Sequence, residues 1–206
     1  MIMKTNLTKA IFIVISCLLL NACSKTIDWQ EEALLSSGQK VIVDRSVKRI
    51  STEPGQMLSS IYEINAKNPT TGERLGWQGV HGAGPILLDF KNGQVFMVVT
   101  LTACDAKIKE FSVEGLPYIF LKSVDGKNWV TISPSQFPSE YKNANLSFDY
   151  DPYYVGEGKF QSSKQISEAN EYAEQQRSEG YYQVSIPRSK DEWNYKYKSI
   201  YHYGCN

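Results

Sequence analysis

The stretch PILLDFKNGQVFMVVTLTAC, residues 85–104, decides the fold. Apolar runs lie on either side of Lys91-Asn92-Gly93, and Asn-Gly supplies the positive φ angles that a tight hairpin turn demands. Residues 117–133, PYIFLKSVDGKNWVTIS, repeat the format around Asp125-Gly126, with Trp129, Val130 and Ile132 returning on the far side. In both segments apolar residues follow one another without strict alternation, the pattern of strands buried on both faces. These two hairpins are predicted to form the middle of the domain.

Upstream, Ser36-Ser37-Gly38 is a turn signal between two β-capable runs. In the second, Val41, Val43 and Val47 fall at even spacing among Asp44, Arg45, Lys48 and Arg49, which predicts a strand. SSIYEINAKNPTTGERLGW, residues 59–77, reads as another, punctuated by Asn68-Pro69 and Thr71-Gly72. The five glycines of GERLGWQGVHGAGP, residues 72–85, precede a strand and lack a following Lys-Ser/Thr pair. That excludes a phosphate-binding loop of the P-loop type and leaves a mobile loop as the reading.

Downstream, one helix is expected. Ser162 and Gln165 make a capping box, Ile166, Ala169 and Ala173 follow at helical spacing, and Gly180 is placed to end it. The apolar stripe is thin, so the helix should lie on the surface against the sheet. GYYQVSIP, residues 180–187, returns to a β pattern. In residues 191–205, Trp193, Tyr195 and Tyr197 alternate with Asn194, Lys196 and Lys198 as in a half-exposed strand. The expected class is β-dominated α+β, an antiparallel sheet or sandwich built from hairpins with one surface helix.

The N-terminus carries the clearest functional pattern. Lys4 and Lys9 precede the uncharged run from Ala10 to Leu20, the basic and apolar regions of a secretory signal. That run is about half of the roughly 20 residues a membrane-spanning helix needs. Leu20-Asn21-Ala22-Cys23 then resembles the lipobox of bacterial lipoproteins. The resemblance implies that residues 1–22 are removed and that the Cys23 thiol, the side chain that can be alkylated selectively, carries a lipid. Ser24, where enterobacterial lipoproteins retained in the inner membrane have aspartate, implies the outer membrane with the protein facing the periplasm. Residues 23–36 would be a lipidated tether and 37–206 a single globular domain. Membrane contact would come from the lipid: of 22 basic residues the leader holds Lys4 and Lys9 and of 22 acidic residues none, so the mature net charge is −2. This balance offers no case for nucleic acid.

With Cys17 in the leader and Cys23 lipidated, Cys104 and Cys205 remain in an oxidising compartment. The simplest expectation is one disulfide, worth about 4 to 5 kcal/mol for a loop of about 100 residues in the chain-entropy model. A metal site or a reactive thiol is the alternative, disfavoured by the absence of CxxC and by only two histidines, His81 and His202. No cofactor is implied.

Other candidates are weaker. His81 as a general base would need an orienting carboxylate and a nucleophile, which no spacing identifies. SVDGKNW, residues 123–129, resembles a shortened Asp-box hairpin, but it occurs once and lacks a residue of that spacing, so Asp125 and Gly126 read as turn residues. Asp149, Asp151 and Glu157 fail the calcium-loop pattern and read as an acidic, solvated loop. Of 13 tyrosines all but Tyr62 and Tyr118 lie from Tyr141 onward. Tyr153, Tyr154, Tyr195 and Tyr197 are therefore a candidate binding surface, suited to saccharide stacking or a protein interface.

WQEEALLSSGQKVIVDRS after a lipobox, TACDA at 102–106 and PYIFLK at 117–122 together resemble an uncharacterised group of proteobacterial lipoproteins. That resemblance supports the lipoprotein reading and a structural Cys104, and brings no activity with it. The expected function is a non-enzymatic, lipid-anchored binding or structural module for an envelope protein or polysaccharide. Its alternatives are an immunity or inhibitor lipoprotein acting against a toxin or lysozyme, and a small envelope hydrolase using His81 or the carboxylates near Asp149.

Overall fold

A computed structural model describes residues 24–50, 59–79, 83–101, 116, 118–148, 160–176, 184–189 and 192. The strands are β1 (Ser24–Leu34), β2 (Lys40–Ile50), β3 (Ser59–Lys67), β4 (Arg74–Gln78), β5 (Ala83–Lys91), β6 (Gln94–Leu101), β7 (Tyr118–Ser123), β8 (Val130–Ile132) and β9 (Phe160–Gln161), and the helix is α1 (Ser163–Gln176). They form a five-stranded sheet in the order β4-β3-β2-β1-β9 and a four-stranded sheet in the order β5-β6-β7-β8. All pairings are antiparallel except β1 with β9. The protein is thus β-dominated α+β, as its hairpin signals predict.

The two central hairpins lie in the second sheet: β5, β6 and β7 are buried on both faces, whereas the returning strand β8 is not, with Val130 and Thr131 exposed and Ile132 half-buried. Val95, Met97 and Val99 of β6 and Ile119 and Leu121 of β7 pack with Val41, Val43, Ile64, Ala66 and Leu75 of the first sheet. The alternate residues Phe96, Val98, Tyr118 and Phe120 point the other way, against Phe137, Tyr141, Phe148, Ala173 and Ile186. Consecutive apolar residues were the trace of this double burial. Asn92 (φ 51°) and Gly93 (φ 74°) make the β5–β6 turn in the left-handed region, as Asn-Gly requires.

The outer layer is sealed by Arg188, whose guanidinium lies 4.6 Å from the Phe137 ring centroid and 5.4 Å from that of Phe120. Its Nη2 donates to the carbonyls of Pro138 (3.0 Å) and Tyr141 (2.5 Å). Helix α1 has the predicted cap, with Ser162 N–H donating to Gln165 Oε1 at 2.9 Å. Its inward stripe is Ile166, Asn170 and Ala173; Ala169 faces solvent. Asn170 takes the inward position because its amide closes a backbone gap, accepting from Phe148 N–H and donating to Leu146 O, both at 2.9 Å.

Two readings are corrected. The described part of the 23–36 segment is not a tether: it is strand β1, paired with β2 along its whole length from Ser24↔Ile50 to Leu34↔Lys40. Ile27, Trp29, Glu31 and Ala33 alternate inward, and the charge at Glu31 disguises the period. The glycine-rich 72–85 segment is not a loop throughout, since Arg74–Gln78 is β4 and Ala83 opens β5. Leu75 and Trp77 anchor it in the core. On the outward face Gly76 lies close to Asn65, whose Oδ1 would be 3.2 Å from a Cβ there and would have to give by a few tenths of an ångström.

Candidate functional site

Even spacing puts Val41, Val43, Arg45 and Val47 on one face of β2, and all four are buried. Both Nη groups of Arg45 are engaged, chiefly by a carboxylate that β1 delivers directly, while its buried Nε has no partner among the described residues. Its Nη1 lies 2.8 and 2.7 Å from the two oxygens of Glu31, and its Nη2 donates to Pro85 O at 3.1 Å. Glu31 also accepts from Trp29 Nε1 (2.7 Å), Ser147 N–H (3.1 Å) and Ser147 Oγ. With Glu31 fully buried and every oxygen engaged, this cluster has no face open to a ligand. It is a fastener between sheets.

The residues on the opposite side of the same strands are free to meet one. The register aligns Gln30, Asp44, Asn65 and Gly76 in one row across β1–β4, and Asp28, Ser46, Glu63 and Gln78 in the next. Gln30 Nε2 donates to Asp44 Oδ1 (2.7 Å) and Gln78 Nε2 to Glu63 Oε1 (2.5 Å), so amides and carboxylates alternate. A groove of about 750 Å³ runs over this face, bordered by Lys40, Lys67 and Arg74. A second hollow, about 440 Å³, shares Gln30, Asp44 and Asn65 with it. The groove itself is basic at Lys40, Lys67 and Arg74, while Asp28 and Glu63 form an acidic row beside it, flanked on its far side by exposed Lys48. Amides, carboxylates and cations together supply donors and acceptors for a polar ligand.

A third hollow, about 380 Å³, lies beside Asp89, Tyr141 and Asn145. Asp89 accepts from Ser36 N–H (2.8 Å) and Phe90 N–H (2.7 Å), so each oxygen serves the backbone. Burial pushes its carboxyl above the usual carboxylate range, outweighing those two donors. Burial likewise pushes the Tyr141 phenol up, and its hydroxyl donates to Phe90 O at 2.9 Å. The raised pKa means that the folded state favours protonated Asp89. Its stabilising contribution is complete below the ordinary aspartate value and is lost as pH rises through the folded-state value. Wild type should therefore lose stability relative to Asp89→Asn over that window, in urea titrations run from pH 3.5 to 6.5. Parallel stability profiles for the two proteins would remove Asp89 as the cause.

Cys23, Cys104, Cys205, Tyr153, Tyr154, Tyr195, Tyr197, His81, Asp149, Asp151 and Glu157 all lie outside the described residues. Asp125 and Gly126 form the predicted turn: Asp125 Oδ1 accepts from Ser123 Oγ and from the N–H groups of Lys127 and Asn128, donors that hold its carboxyl far below the usual range. The sequence reading missed the polar rows of the first sheet, whose only signal is outward alternation of Gln30, Asp44 and Asn65. Among the described residues, no group of three or more His, Cys, Asp or Glu side chains is placed to hold a metal ion. Among the same residues, no helix is long and apolar enough to cross a membrane. No family model, no curated relative and no solved structure matches the chain.

Proposed function

We propose that this chain is a lipid-anchored envelope protein, attached at Cys23 to the outer membrane and facing the periplasm, with a non-catalytic sandwich that binds an envelope partner. The binding surface in this reading is the outer face of β1–β4. The observation that supports it is the contrast between the two sides of those strands. Inward, both Glu31 oxygens and the Arg45 Nη groups are engaged by hydrogen bonds in a buried cluster, whereas outward Asp28, Gln30, Asn65, Lys67 and Arg74 are exposed along a groove. A Cys104–Cys205 disulfide belongs to the same proposal as a staple for an oxidising compartment.

Anchoring is tested by growing cells with radiolabelled palmitate and fractionating them. Wild type should incorporate label and sediment with outer membranes, while Cys23→Ser should incorporate none and leave the membrane fraction. Unlabelled wild-type protein would defeat the lipoprotein reading whatever the sandwich binds.

A further inference from the structure

We infer that the groove on the first sheet takes an anionic polysaccharide, with its acidic groups at Lys67 and Arg74 and its hydroxyls along the Gln30–Asp44–Asn65 row. The inference rests on the lipid-anchored binding reading and names the ligand class of that same face. Its first support is a charge placement that folding alone does not favour. Lys67 and Arg74 are direct cross-strand partners at the turn end of the β3–β4 hairpin, both exposed. Like charges in that relation destabilise a sheet. Among the described residues neither side chain has an ion-pair or hydrogen-bond partner. Lys40, on the same groove wall, is partly neutralised by Glu32 at 2.8 Å, which leaves Lys67 and Arg74 as the uncompensated pair. A ligand anion supplies what the fold omits.

The neighbouring lining argues for sugar. Gln30, Asp44 and Asn65 present amide and carboxylate groups at adjacent positions of one row, a spacing that serves vicinal hydroxyls, which donate and accept together. Phe160, about half exposed, pairs with Gln30 at the end of that row, beyond the residues that line the groove. The volume of about 750 Å³ lies within the range of small-ligand sites and leaves room for more than one sugar ring.

The position of the cations argues against a membrane headgroup as the source of the anion. Strand β1 starts at Ser24, one residue after the proposed lipid attachment, and pairing places Ile42, and hence the Lys67–Arg74 row, opposite Glu32. Glu32 lies eight residue steps along the strand from Ser24, or about 27 Å at roughly 3.4 Å per step. The screening length at physiological salt is about 8 Å. The basic end of the groove is thus remote from the lipid attachment along the strand, and the cations nearer to it, Lys25 and Lys48, do not line the groove.

The test uses the full lipidated chain in detergent and a galacturonate oligomer as the probe, with its methyl ester as the neutral control, read by titration calorimetry. The acid should bind at least about tenfold more tightly than the ester, and Lys67→Gln/Arg74→Gln should remove about that factor, as expected for lost charge-assisted hydrogen bonds. The melting temperature of that variant should be unchanged or higher, because the like-charge pair is relieved. Equal binding of acid and ester, binding of neither, or an indifferent double variant overturns the anionic assignment. If the ester still binds and Gln30→Ala/Asn65→Ala abolishes it, the face remains a saccharide site and only the charge preference fails. Phosphatidylglycerol vesicles form a separate arm: binding to them that depends on Lys67 and Arg74 would overturn the polymer as the source. A photo-crosslinker at position 65 that captures an envelope protein, with no oligomer bound, would overturn the saccharide class.

Discussion

Glu31→Ala should destabilise the protein by roughly 3–5 kcal/mol, because it leaves the Arg45 guanidinium buried without its carboxylate. Arg45 is 4% exposed and Glu31 0%, so water cannot substitute without opening the sheet interface. The loss also strips acceptors from Trp29 Nε1 and Ser147 N–H. Against a total stability of about 5–15 kcal/mol for a typical domain, such a change leaves little in reserve. Glu31→Gln, which keeps one acceptor and the shape, should fall between wild type and alanine. The informative comparison is the cycle with Arg45→Met. Removing both charges should cost less than the sum of the single changes, since neither is then stranded, with a coupling of about 0.5–3 kcal/mol. Urea titrations with a constant slope measure this directly. Additive single changes, or a cost below about 1 kcal/mol for Glu31→Ala, would show that the pair does not fasten the sheets.

Gly126→Ala should cost about 2–4 kcal/mol, from two separable causes. Its φ of 69° lies where an L side chain is strained, a penalty of about 1 kcal/mol. A Cβ there would also sit 2.6 Å from Leu75 Cβ and 3.0 Å from Leu75 Cα, inside the contact between the β7–β8 turn and β4, and overpacking adds about 1–3 kcal/mol. Gly93→Ala separates them, because Gly93 has φ 74° but no atom within 4 Å of the position a Cβ would take. The thermal midpoint should therefore fall clearly further for Gly126→Ala than for Gly93→Ala. Equal shifts would mean that backbone strain acts alone and that the turn's approach to Leu75 has no energetic weight.

Strands β5, β6 and β7 were legible because double burial leaves consecutive apolar residues, and Asn92-Gly93 and Asp125-Gly126 announce the turns, but the apolar residues of β8 lie at an exposed edge. Helix α1 was legible through Ser162 and Gln165. Strand β1 was obscured by Glu31, a charge on the buried face that makes sense only once Arg45 arrives from β2. Strand β4 was obscured by glycines, which look like a loop until Gly76 is seen against Asn65 and Gly126 against Leu75. The groove was illegible for a different reason. Gln30, Asp44, Asn65 and Arg74 are scattered over 45 positions of chain, each an ordinary outward polar residue, and only the strand register makes them neighbours.

Asn145 settles the outer edge of β5 with one side chain. Its amide donates to Leu88 O (2.8 Å) and accepts from Leu88 N–H (2.9 Å), while Asn145 and Leu146 N–H groups both donate to Ile86 O. On the other sheet, Gly76 N–H donates to Gly126 O and Trp129 Nε1 to Gly76 O, each at 2.9 Å, which occupies the edge of β4 in the same manner. Open strand edges template pairing between molecules. Proteins held by lipid on one surface meet one another in two dimensions at high local density, where such pairing would grow into ribbons. In the proposed anchored state, these contacts withdraw two of the four sheet edges, β4 and β5, from pairing between neighbouring copies in a crowded layer.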